Sequence, residues 1–113
     1  MHKFFVPLFV VLSLSASSQL TTHRTESSSG QKIGFYQFLP PSYSKDAGDK
    51  SPLIIFLHGI GEKGTGYSPD IERLNCCGIP KYIVAGSTME FEWDGKKEGF
   101  VVLYPQLSSK YGT

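Results

Sequence analysis

Cysteine is nearly absent: the 113 residues hold two, Cys76 and Cys77, side by side. A disulfide framework of the kind that staples small exported domains is thereby excluded. Adjacent cysteines do not readily close an unstrained bridge, so the pair reads in three ways: two semi-buried thiols, a vicinal disulfide, or thiols with partners outside the chain. Their spacing supplies no metal site. Charge of one sign is also missing, with 11 Lys and Arg against 10 Asp and Glu. Nothing in that balance steers nucleic acid or an anionic membrane. Long apolar runs are missing as well, since Phe4 to Leu14 falls short of the roughly 20 residues a spanning helix needs. Disorder is excluded by 40% hydrophobic and 19% charged content, ordinary values for one small globular domain.

What is there begins with Met1-His2-Lys3, an apolar middle FFVPLFVVLSL and the small residues Ser15 to Ser18. This is the pattern of a secretory signal peptide over residues 1–18, and it predicts a secreted or periplasmic protein with no membrane association once the leader is removed. Without Lys3 the chain carries ten basic and ten acidic side chains, a net charge of zero with histidines neutral. Residues 19–31, rich in Ser and Thr without periodicity, read as a flexible lead-in, with His23 on the surface. The remainder, 32–113, reads as the folded part.

Two uninterrupted apolar runs organise that part. Pro52 to Leu57 (PLIIFL) stops at His58 and opens into a loop with glycine at 59, 61, 64 and 66; Phe100 to Tyr104 (FVVLY) stops at Pro105. Runs without polar alternation predict strands covered on both faces, as in a parallel sheet with helices on either side. Between Gly30 and Pro40-Pro41, Ile33, Phe35 and Leu39 interleave with Tyr36 and Phe38 and predict a further strand apolar on both sides. Ser68-Pro69-Asp70 predicts a helix start that carries Ile71 and Leu74 inward; Gly78 ends it and Pro80 opens a second short helix. Asp94-Gly95 predicts a turn or small hairpin between Phe91-Trp93 and Gly99. The two runs with helical sequence between them predict a right-handed βαβ unit, hence an α/β fold.

Gly59-Ile60-Gly61-Glu62-Lys63-Gly64 satisfies G-x-G-x-x-G after a predicted strand, yet Gly66 and Pro69 interrupt the helix a dinucleotide site requires, and no acid-tipped second strand follows. The phosphate-loop signature fails at Thr65, where lysine is needed. No cofactor is predicted.

The aromatic-rich strand, Pro40-Pro41 with Tyr43, PLIIFLHG with GEKGTG, Gly78 to Lys81 and VVLYPQ together resemble the N-terminal part of an exported α/β-hydrolase, similar to predicted-peptidase and polyhydroxybutyrate-depolymerase-like esterases. The resemblance runs from about Lys32 to Gln106. It implies a partial α/β-hydrolase sheet of about three main strands, truncated before the nucleophile elbow. The function it implies is a fragment of a secreted serine hydrolase, an esterase, depolymerase or peptidase-like acyl hydrolase, acting on a small or polymeric ester. It places the oxyanion-hole N–H on Ile60, with Gly61 as alternate donor, and loop support on His58, Gly59 and Gly64. No G-x-S-x-G occurs, so nucleophile, acid and base are all absent and activity of this chain is left open. Without a fifth strand, PLIIFL is expected to present an open edge and the chain to be unstable or to aggregate. The alternative is a non-catalytic secreted binding module that uses Tyr43, Tyr67 and Trp93.

Overall fold

The computed structural model describes residues 17–45 and 50–110, together with Pro7 and Gly48. The predicted leader lies outside the described residues except at Pro7, Ser17 and Ser18. Among the described residues six strands form two sheets: β1 Gln19–Glu26, β2 Lys32–Leu39, β3 Leu53–Ile55, β4 Glu90–Trp93, β5 Lys96–Gly99 and β6 Val101–Gln106. The main sheet runs β1-β2-β6-β3, antiparallel at β1–β2 and β2–β6 and parallel at β6–β3. β4 and β5 form a separate hairpin. Its turn residues Asp94 and Gly95 take φ of 50° and 73°, the pair of left-handed conformations that a two-residue turn requires.

The expected partial α/β-hydrolase sheet with a right-handed βαβ crossover is corrected here. The protein is mostly β, and regular α-helix among the described residues is limited to α1, Gly78–Val84, beside 3₁₀ turns at Ile60–Glu62 and Asp70–Cys76. The reason is punctuation. Gly66 and Gly78 take φ of 75° and 64°, and Cys77 is extended, so the stretch between them is too short to nucleate and propagate a stable α-helix. It tightens into 3₁₀ instead, keeping Ile71 and Leu74 buried as its sequence pattern requires. The structure also has a strand, β1, where composition suggested only a lead-in. All eight of its residues are exposed.

The core lies on one side of the main sheet. Tyr36 and Phe38 of β2 and Val102 and Tyr104 of β6 pack against Ile71, Leu74, Ile83 and Met89. On the opposite face Ile33, Phe35, Leu39, Val101, Leu103 and Pro105 are half-buried, and His23 of β1 stacks on Phe35. Register puts Leu53 and Ile55 beside Val101 and Leu103, and Leu53 and Ile55 are 53% and 60% exposed. The run read as doubly covered is therefore a three-residue edge strand with one face in solvent. Covering a Leu or Ile side chain releases about 1.5–3 kcal/mol, and an unpaired apolar edge invites another chain. Sedimentation velocity of the purified chain is expected to show association that grows with concentration, and Ile55→Lys to shift it toward monomer. A wild-type chain that stays monomeric at every concentration would reject this account.

Candidate functional site: the glycine loop after β3

β3 extends one bond further, through the Phe56 N–H to the Leu103 carbonyl at 2.9 Å, before the chain leaves the sheet at His58. There the imidazole bridges two segments. The Leu107 N–H donates to Nε2 at 2.8 Å, which leaves Nδ1 as the donor to the Gly59 carbonyl at 2.5 Å. Both ring nitrogens are thus occupied in bracing the loop. Beyond Gly59 the chain makes the 60–62 turn, closed by the Glu62 N–H on the Gly59 carbonyl at 3.3 Å.

Four further amides of the loop, from Gly64 to Tyr67, are committed. The Gly64 N–H donates to the Leu107 carbonyl at 3.0 Å, Thr65 N–H to Asp70 Oδ2 at 3.1 Å, and Tyr67 N–H to Thr65 Oγ1 at 3.2 Å. Hydrogen bonds to Asp70 from the Thr65 backbone and side chain, and to a lesser degree the Arg73 guanidinium 3.4 Å away, hold the Asp70 carboxyl below the usual carboxylate range. Gly66 N–H donates to Gln106 Oε1 at 2.7 Å. In contrast, no hydrogen bond among the described residues runs from the N–H of His58, Gly59, Ile60 or Gly61. Ile60 is 76% exposed and Gly61 is open to solvent. A shallow hollow of about 370 Å³ is walled by Ile33, Leu57, His58, Pro105, Gln106 and Leu107; neither Ile60 nor Gly61 lines it.

Gln106 is the residue that organises this loop. It is fully buried, and its Nε2 donates to the carbonyls of Glu62 at 2.9 Å and Asp70 at 2.8 Å while Oε1 accepts from Gly66. Both N–H donors of the amide and one lone pair of its oxygen are used. The fit is close: a Cβ on Gly64 would lie 2.6 Å from Gln106 Nε2. Gly61 has no atom within 4 Å of such a position, so of the two glycines only Gly64 is dictated by space. The Gly59 Cβ position is 3.2 Å from Glu62 Oε2. Gln106 carried a signal in the sequence. Continuing the inward phase of Val102 and Tyr104 by two residues places a polar side chain on the core face.

Below the loop, the stacked Tyr36 and Tyr104 rings, 5.0 Å between centroids, meet Asn75 through bonds of 3.4 Å to each hydroxyl. Burial, then the neighbouring Tyr36, pushes the Tyr104 phenol well above its ordinary value. Tyr67 is capped by the Arg24 guanidinium, 3.3 Å from its ring centroid. Cys76 and Cys77 are joined as a vicinal disulfide, the second of the three readings open at sequence level. The exposed aromatics of the hairpin, Phe91 and Trp93, share one strand face and with Pro52, Ile54 and Phe100 line an open groove of about 670 Å³. No helix among the described residues is long and apolar enough to cross a membrane.

Neither a protein-family model nor a curated protein matches this chain.

Proposed function

We propose that the loop from His58 to Gly66 is the anion-stabilising half of a secreted acyl hydrolase's site. The Ile60 and Gly61 N–H groups would donate to the oxygen of a tetrahedral intermediate formed on an ester. One observation supports this reading above the others. In a loop whose N–H groups at 62, 64, 65, 66 and 67 are engaged, those at 60 and 61, like their neighbours at 58 and 59, have no internal acceptor among the described residues. Preorganised amides of this kind are worth about 2.7–4 kcal/mol per donor to a developing oxyanion, because they need no reorganisation as charge appears. The rigidity comes from His58 and Gln106, which tie the loop to the end of β6 on both sides of the turn. The nucleophile belongs to none of the described residues, since no serine here sits in a G-x-S-x-G elbow.

The groove at Phe91 and Trp93 favours a second reading, a non-catalytic binding module for an apolar ligand. One titration separates the two. With butylphosphonate added to the ¹⁵N-labelled chain, the Ile60 and Gly61 amide resonances are expected to move first, with Thr65 and Gly66 fixed. Movement confined to residues 91–100 would transfer the assignment to the groove, and hydrolysis of a p-nitrophenyl ester by this chain alone would overturn the missing-nucleophile argument.

A further inference from the structure

Three soft or anionic donors meet on the flank of the loop, from two segments that the sequence keeps apart. Glu62 ends the first 3₁₀ turn and Cys76 the second. Cys76 Sγ lies 3.1 Å from Glu62 Oε1, and one donor atom each from Glu62, Cys76 and Cys77 falls within 4.8 Å of the others. Backbone anchors fix this approach. Gln106 Nε2 holds the Glu62 carbonyl, while Ile71 and Leu74 bury the inner side of the segment that carries Cys76. Both cysteines are exposed and Glu62 is half-buried, so the cluster opens to solvent.

We propose that Cys76, Cys77 and Glu62 form a redox-gated site for a soft divalent cation of the Zn²⁺ or Cd²⁺ type. While the sulfurs share a bond they offer no thiolate. An external dithiol opens the site: its thiolate attacks one sulfur to give a mixed disulfide, and its second thiol displaces Cys76 or Cys77. The dithiol leaves as a cyclic disulfide, and the protein gains two electrons and two protons. Cation binding then displaces those two protons, giving two thiolates and one carboxylate as ligands, with water in a fourth position. Thiolates select such ions over Mg²⁺ and Ca²⁺. Tetrahedral geometry with bonds of about 2.3 Å to sulfur and about 2.1 Å to oxygen sets S···O near 3.6 Å and S···S near 3.8 Å. The first is about half an ångström longer than the 3.1 Å already present, and rotation about the cysteine side-chain bonds provides the second.

The site does not depend on the acyl-hydrolase reading, yet it touches the same turn, because the Glu62 N–H closes the turn that carries Ile60 and Gly61. The test is Cd²⁺ titration followed by the near-ultraviolet thiolate-to-metal absorption. Chain reduced with dithiothreitol and desalted is expected to bind one Cd²⁺, at least tenfold more tightly than a Gly-Cys-Cys-Gly peptide, whereas the untreated chain shows no band. Cys76→Ser and Cys77→Ser are each expected to lose the band. Glu62→Gln should weaken binding about tenfold, and Glu62→Asp, which keeps the charge but retracts it by one methylene, should fall between. Affinity no better than that of the peptide, or unchanged in Glu62→Gln, would overturn the proposal. So would an equal band without reduction.

Discussion

Gln106→Ala is expected to lower the free energy of unfolding by about 3–6 kcal/mol, because it strips partners from three backbone groups at once, each worth about 1–3 kcal/mol when left buried and unsatisfied. The groups are the carbonyls of Glu62 and Asp70 and the N–H of Gly66. Small domains hold about 5–15 kcal/mol in total, so the loss is a large share of the whole. Gln106→Glu probes the same contact by a different route. It keeps the acceptor for Gly66 but turns an oxygen toward two carbonyl oxygens, and it is expected to destabilise nearly as much. Urea unfolding followed by far-ultraviolet circular dichroism measures both. A change under about 1 kcal/mol in Gln106→Ala would mean that water replaces the amide and that the loop is not held by this side chain.

Gly34→Ala is expected to cost about 3 kcal/mol or more, from the opposite side of the same loop. A Cβ on Gly34 would stand 2.7 Å from the Cα and 2.8 Å from the carbonyl carbon of Gly66. Both neighbours are backbone, so no flexible side chain can yield. Overpacking alone costs about 1–3 kcal/mol, and here relief requires lifting Gly66 off β2, away from Gln106 Oε1 as well. Gly66 itself cannot accept the burden, since its φ of 75° already depends on the absence of a side chain. Gly61→Ala is the control. It meets nothing within 4 Å, retains its N–H, and should change stability by less than about 0.5 kcal/mol. Comparable losses at 34 and 61 would show that glycine content, and not the crossing of two backbones, sets the cost.

Short-ranged signals in the sequence match the local structure. The punctuation at Gly30 and Pro40 brackets β2, Asp94-Gly95 turns the hairpin, and Ile71 and Leu74 point inward as their spacing requires. Layering was not legible. PLIIFL reads as doubly covered because an apolar run reports what a strand tolerates, while coverage depends on how far the intervening segment can form helix. Glycine and proline between 66 and 80 kept that segment to 3₁₀ turns and seven α-helical residues. β1 escaped for the converse reason. A strand exposed on both sides needs no hydrophobic period, and its pairing with β2 lies in the backbone, about which side-chain patterns are silent. The glycine loop itself was visible, but not its fastening. Gln106 and Glu62 are 44 residues apart, and only the paired strands bring the one beneath the other.

The placement of the lone indole decides which optical signal can follow these experiments. Trp93 is 81% exposed on the hairpin, so its emission in the native protein is expected to have the red-shifted character of a hydrated fluorophore. Denaturation will barely move it. The chromophores that sense the interior are the phenols of Tyr36 and Tyr104, shut away with Asn75, and near-ultraviolet dichroism of that pair is the spectroscopic window onto whether the centre of the molecule is intact.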